Sequence, residues 1–114
     1  MNSPLSSAYL RFLQLSRTLS SNDEKALSAN ERALLETIAL AWFQKQPLTV
    51  RQAISNETLG SPATLHKRLT TLRTMGFVED QGVDADRRTK QLLPTAKTLA
   101  FFDKLGAAMS QPGA

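Results

Sequence analysis

The sequence predicts a mostly α-helical single domain with one small β-hairpin near its C-terminal end. Three observations predict it. Apolar residues recur at helical spacing through most of the 114 residues, and N-cap signatures stand ahead of those stretches. The helical pattern then breaks once, after Gly76, into two short segments around a loop containing glycine and aspartate. A chain of this length supports one core but not two.

Ser3 and Pro4 read as an N-cap followed by proline at the first helical position, opening a helix over about residues 4–19. Leu5, Ala8, Tyr9, Phe12, Leu13, Ser16 and Leu19 form a stripe too apolar to leave in water. The polar stretch SSNDEK, 20–25, reads as a loop. SANE, from Ser28 to Glu31, fits a capping box, and the helix behind it carries Leu34, Leu35, Ile38, Ala39 and Trp42 until Pro47 closes it. TVRQ, from Thr49 to Gln52, is a second capping box, and Val50, Ala53 and Ile54 are the buried side of a short helix. The chain turns at Leu59 and Gly60. Ser61 and Pro62 then open a helix over 62–75, with Leu65, Leu69 and Leu72 on one face and Gly76 as its stop. FVEDQ (77–81) and TKQLL (89–93) read as strands joined by GVDADRR. Pro94 ends the second strand, Thr95 caps, and Leu99, Phe102, Leu105 and Met109 mark a last helix over about 95–109.

Helix, helix, short helix, turn, helix, hairpin, helix is the order of parts in a winged helix-turn-helix, so the expected unit is one winged-helix domain spanning 1–114. With its leucines inward, the 62–75 helix presents Ala63, Lys67, Thr70 and Thr74 outward, with Thr64, His66 and Thr71 on the flanks. It carries three Lys and Arg residues and no carboxylate. The whole chain holds 14 Lys and Arg against 10 Asp and Glu, a formal charge of +4, which favours a polyanionic partner. Threonine and lysine bond phosphates or base edges, and a small Ala63 permits close approach to a major groove. The helix start at Ser61, Pro62, Ala63 and Thr64 adds backbone donors and a positive dipole end. Arg87, Arg88 and Lys90 stand where a wing, 77–93, reaches the flanking minor groove, and Asp84 and Asp86 beside them imply that one arginine is paired within the loop.

LSANERALLETIA, GSPATLHKRLTTLRTMGFVE and DADRRTKQLLPTAKTL together resemble the MarR family of bacterial transcriptional regulators over roughly residues 28–106. The first is similar to that family's helix before the helix-turn-helix, the second to its recognition helix and lead-in to the wing, the third to its Asp- and Arg-bearing wing. The resemblance implies that Ser61, Thr64 and Lys67 face the groove, that Asp86 is the wing's structural acid and that Arg88 contacts DNA. Members of that family are usually longer, with extended end helices that build a dimer and frame a small-molecule pocket.

The expected function is therefore sequence-specific binding of double-stranded DNA by a transcriptional regulator, a repressor that covers a promoter. The end helices carry Leu5, Tyr9, Phe12 and Leu13 on one side and Phe101, Phe102, Leu105 and Met109 on the other, and these are expected to pair across a two-fold axis in a homodimer, the alternative being that both helices fold back onto their own domain. Two recognition helices then meet half-sites about 34–36 Å apart. The alternative is a winged-helix module that binds protein through the same apolar ends, and a small-molecule effector is compatible with the first reading. No cysteine is present, which removes disulfides, thiol chemistry and Cys-ligated zinc, and the single histidine, His66, excludes a multi-histidine metal site. No nucleophile with its base and no phosphate-cradling glycine loop stands out, so neither an enzyme nor a cofactor is expected. The N-terminal stretch lacks a signal-peptide pattern and no segment reaches membrane-spanning length, so a cytoplasmic protein is expected.

Overall fold

The computed structural model describes residues 4–82 and 90–110. Six helices and one hairpin follow one another as α1 (Pro4–Leu19), α2 (Asn22–Ala26), α3 (Ala29–Phe43), α4 (Val50–Ile54), α5 (Pro62–Thr74), β1 (Val78–Gly82), β2 (Lys90–Pro94) and α6 (Ala96–Ser110). The architecture is the mostly α winged helix-turn-helix that the order of motifs predicts.

Local capping sets most of the helix starts. Ser28 with Glu31 and Thr49 with Gln52 close reciprocal capping boxes at α3 and α4. A third box, Ser21 with Glu24, overturns the loop expected at 20–25: the box starts α2, and the Glu24 carboxylate, which also takes the Ser21 N–H, is buried within 3.8 Å of the Lys104 ammonium on α6. The far end of α3 stops at Phe43, before Pro47 is reached. Lys45 takes φ 63° there, and the Gln46 N–H bonds Ala41 O while the Lys45 N–H bonds Trp42 O. This is the Schellman geometry that glycine usually provides.

Leu34, Leu35 and Ile38 of α3, Ala53 of α4, Leu69 and Leu72 of α5, with Phe77, Val78 and Leu92 from the hairpin, form one buried cluster. Burying these side chains is the main term that holds the three-helix unit and the hairpin together. The strands pair antiparallel from Val78 opposite Pro94 to Gly82 opposite Lys90, one residue later than 77–81 and 89–93. Phe77 is withdrawn from β1 because it terminates α5: its N–H bonds Leu72 O, and the Gly76 N–H bonds Arg73 O with Gly76 at φ +81°. A third extended piece joins the sheet, since Thr49 bridges Gln91 and the Leu92 N–H donates to Leu48 O at 2.8 Å.

Outside this core the chain is drawn out into an arm. The Cα radius of gyration is 16.0 Å, with extents of 54 × 26 × 26 Å, against about 13 Å for a compact chain of this length. The arm is α1 packed on α6. In α6 the buried stripe is Thr98, Phe101 and Ala108, rotated from the one expected at Leu99, Phe102, Leu105 and Met109. Phe101, expected on an exposed stripe, is 1% exposed, and the Arg32 guanidinium of α3 lies 5.2 Å from its ring centroid. Ser16 is the buried residue of α1, whereas Leu5, Tyr9, Leu10 and Leu19 stay exposed. Trp42, expected in the core, is also exposed together with Leu40 and Phe43, because α3 turns these positions away from α5 and the hairpin. Among the described residues no helix is long and apolar enough to cross a membrane.

Candidate nucleic-acid interface

The turn between α4 and α5 is built by short-range bonds. Asn56 Oδ1 accepts from the N–H and the hydroxyl of Thr58, and the Leu59 N–H donates to Asn56 O. Gly60 follows at φ +148°, where a Cβ would stand 3.3 Å from Arg68 Nη1. Arg68 itself donates from that nitrogen to Leu59 O at 2.9 Å, so its guanidinium pins the turn to the helix that follows.

Helix α5 buries Leu65, Leu69 and Leu72 at 0% exposure. Ser61, Pro62, Ala63, Thr64, His66, Lys67 and Thr70 are all exposed, and Thr71 is half-buried. The outward face is thus continuous and carries no carboxylate. Its charge is nevertheless smaller than its composition suggests. Arg73 makes a two-pronged pair with Asp80 of β1, Nε to Oδ1 at 3.0 Å and Nη2 to Oδ2 at 2.9 Å, and Arg68 is held by Leu59 O. Of the three Lys and Arg residues on α5, Lys67 is the one that is exposed, while Arg68 and Arg73 are half-buried.

The polar groups of this face have internal duties as well. Ser61 Oγ accepts from the Thr64 N–H at 3.3 Å and donates to Thr64 Oγ1 at 2.9 Å, and the Leu65 N–H bonds Ser61 O. Pro62 has no N–H, so the first turn keeps chiefly the Ala63 N–H and the helix dipole for an outside anion, fewer donors than the helix start suggests. Thr70 and Thr71 donate their hydroxyls to His66 O and Lys67 O. In that geometry they offer a methyl group and acceptor lone pairs to a ligand, while the Thr64 hydroxyl keeps a hydrogen to give.

On the hairpin Lys90 is exposed at the start of β2, opposite Gly82. Arg87 and Arg88, with Asp84 and Asp86, lie outside the described residues. The Arg73–Asp80 pair ties the base of the hairpin to α5, so helix and hairpin present one surface. Sequence reasoning missed this pair and the Arg68 contact; an i, i+7 spacing across a helix end carries no local signal of pairing. Among the described residues no three His, Asp or Glu side chains converge as a metal site would require.

No protein-family model and no curated protein matches the sequence. Solved structures do match. A MarR-like transcriptional regulator from Thermotoga maritima superimposes with a TM-score of 0.63 at 23% identity, over 91% of this chain and 69% of its own. A second transcriptional regulator from that organism gives 0.62 at 16% identity, over 90% of this chain and 64% of its own. FabT from Streptococcus pneumoniae, solved in complex with DNA, gives 0.58 at 23% identity, over 92% and 73%. This chain therefore spans about two thirds to three quarters of the length of these regulators. What the likeness establishes is the fold, a MarR-like winged helix.

Proposed function

We propose that the protein is a transcriptional regulator that binds double-stranded DNA as a homodimer, with α5 in the major groove and the wing on the flanking minor groove. The observation that carries this reading is the outward face of α5. Ala63, His66, Lys67 and Thr70 form an exposed surface free of carboxylates, on the fold of regulators of which one was solved on DNA. Small side chains admit the groove, Lys67 meets a phosphate or a guanine edge, and the threonine methyl groups suit thymine. Ser61, Pro62, Thr64 and Thr71 frame that contact, while Arg87, Arg88 and Lys90 serve the wing. Such a protein acts as a repressor where its site overlaps a promoter, in the cytoplasm where the DNA is, without a catalytic centre of its own.

The dimer reading is supported by the arm. Leu5 and Tyr9 are 83% and 61% exposed and Met109 is 70% exposed, with Phe12, Leu13, Phe102 and Leu105 half-buried beside them. A second copy of the arm covers this surface and sets two recognition helices about 34–36 Å apart. An effector molecule that spreads the two arms would change that distance.

A module that docks on another protein is the second reading, supported by Leu40 and Phe43, 55% and 75% exposed at the end of α3. Selection of the purified protein on randomised duplex DNA, with complexes sized by light scattering at two salt concentrations, separates the two. Enrichment of an inverted repeat bound by a dimer is expected. The absence of any enriched sequence would shift the assignment to the protein-docking module.

A further inference from the structure

The first turn of α6 grips the far end of the recognition helix. In the Schellman turn that ends α5, three successive carbonyls, those of Met75, Gly76 and Phe77, receive side chains from residues 95–98. Lys97 Nζ donates to Met75 O at 2.7 Å, Thr95 Oγ1 to Gly76 O at 2.6 Å and Thr98 Oγ1 to Phe77 O at 2.5 Å. The Thr95 N–H also reaches Phe77 O at 3.2 Å. The Lys97 ammonium lies 4.4 Å from the Phe77 ring centroid, at the negative end of the α5 dipole. Thr98 is fully buried at 0% exposure.

These bonds join two elements that do not pack along their lengths: α5 lies against α3, α4 and β1, whereas α6 lies against α1 and β2. Phe102 and Phe101 of α6 also touch the core and Arg32. Apolar contacts of that kind tolerate sliding, whereas three directional bonds to consecutive carbonyls do not. We propose that Thr95, Lys97 and Thr98 are positioning residues for DNA binding. They make the arm and the recognition helix one rigid body, so that the way two arms pair dictates the distance between two recognition helices. The inference rests on the dimeric regulator proposed above. It adds the residues through which arm geometry becomes operator spacing.

The test has two arms, and the absence of cysteine makes the first direct. Spin labels attached through Thr70→Cys on α5 and Ala100→Cys on α6, both exposed positions, report the distance between the two helices without DNA, with unlabelled protein added in excess. A narrow distribution is expected for the parent. It should broaden in the Lys97→Met, Thr98→Val double variant and narrow again when Thr98→Ser replaces Thr98→Val. Thr98→Val keeps the side-chain shape and leaves Phe77 O its bond from the Thr95 N–H, so the fold survives, as a thermal melt checks.

The second arm measures unlabelled protein on selected duplexes whose half-sites are moved apart base pair by base pair. The parent should prefer one spacing by roughly 10²-fold, the gain from simultaneous engagement. The double variant should lose most of that preference while holding a single half-site as tightly as the parent. A double variant that keeps both the narrow distribution and the spacing preference overturns the proposal. A parent that enriches no duplex overturns the regulator reading itself, whatever the spin labels report.

Discussion

Lys67→Ala tests the interface through a quantity the structure makes calculable. Of the cations on α5, Arg73 is paired with Asp80 and Arg68, though still charged, is anchored to Leu59 O, so Lys67 is the fully exposed cation that each protomer can bring to a phosphate. A protein that neutralises Z phosphates loses affinity with salt along a log–log slope of about −0.9Z. Removing Lys67 from both protomers of a dimer should make that slope shallower by about 1.8. Between about 50 and about 200 mM salt, each contact is worth a factor of roughly 3.5, so the affinity ratio of parent to variant should shrink about 12-fold across the range. Fluorescence anisotropy on a labelled duplex at four or five salt concentrations measures it, and a random-sequence duplex suffices because the effect is electrostatic. Arg68→Met, in the same assay, should leave the slope at the parent's value and show its cost in a melting curve. Equal slopes for Lys67→Ala and the parent, or an Arg68→Met effect as large as that of Lys67→Ala, would refute the assignment of the outward charge.

Other outcomes follow from packing and backbone. Leu69→Ala opens a cavity at a fully buried position between α5 and α3 and should cost about 2–5 kcal/mol in denaturant unfolding. Gly76→Ala should cost about 1–2 kcal/mol, from its φ of +81° alone, since the nearest atom to an added Cβ is Lys97 Cδ at 4.0 Å. Lys45→Gly should raise the melting temperature by relieving φ 63° in the α3 stop, a gain of about 0.5–1 kcal/mol after the added chain entropy. If the proposed dimer forms through the arm, Leu5→Glu with Tyr9→Glu should give monomers in light scattering and leave the monomer's fold intact, because both side chains are mostly solvent-exposed within one chain.

Much of the fold was legible because its signals are local. The boxes Ser28–Glu31 and Thr49–Gln52, the Ser61–Pro62 start and the Gly76 stop each depend on groups within a few residues of one another. The third box, Ser21–Glu24, was equally local but lacked an apolar run behind it, and its Glu24 carboxylate meets the distant Lys104. The inward leucines of α5 were legible from helical spacing, and the rotated stripe of α6 was not. Thr98 is polar, and the bond from its hydroxyl to the carbonyl of Phe77 is what makes its burial favourable. The short strand pairing at Leu48 and Thr49 leaves no pattern, since two residues have no period.

The sequence by itself therefore determined where α3, α4 and α5 begin, where α5 ends, which leucines of α5 face inward and that α5 carries no acid, because those properties follow from neighbours three or four residues away. Tertiary structure alone decided which cations are left for a partner, which helix ends are joined and how much of the arm stays uncovered. Arg68, Lys97 and Thr98 all bond backbone carbonyls far along the chain. Every residue carries a carbonyl, so no residue type marks in advance the one that will be chosen.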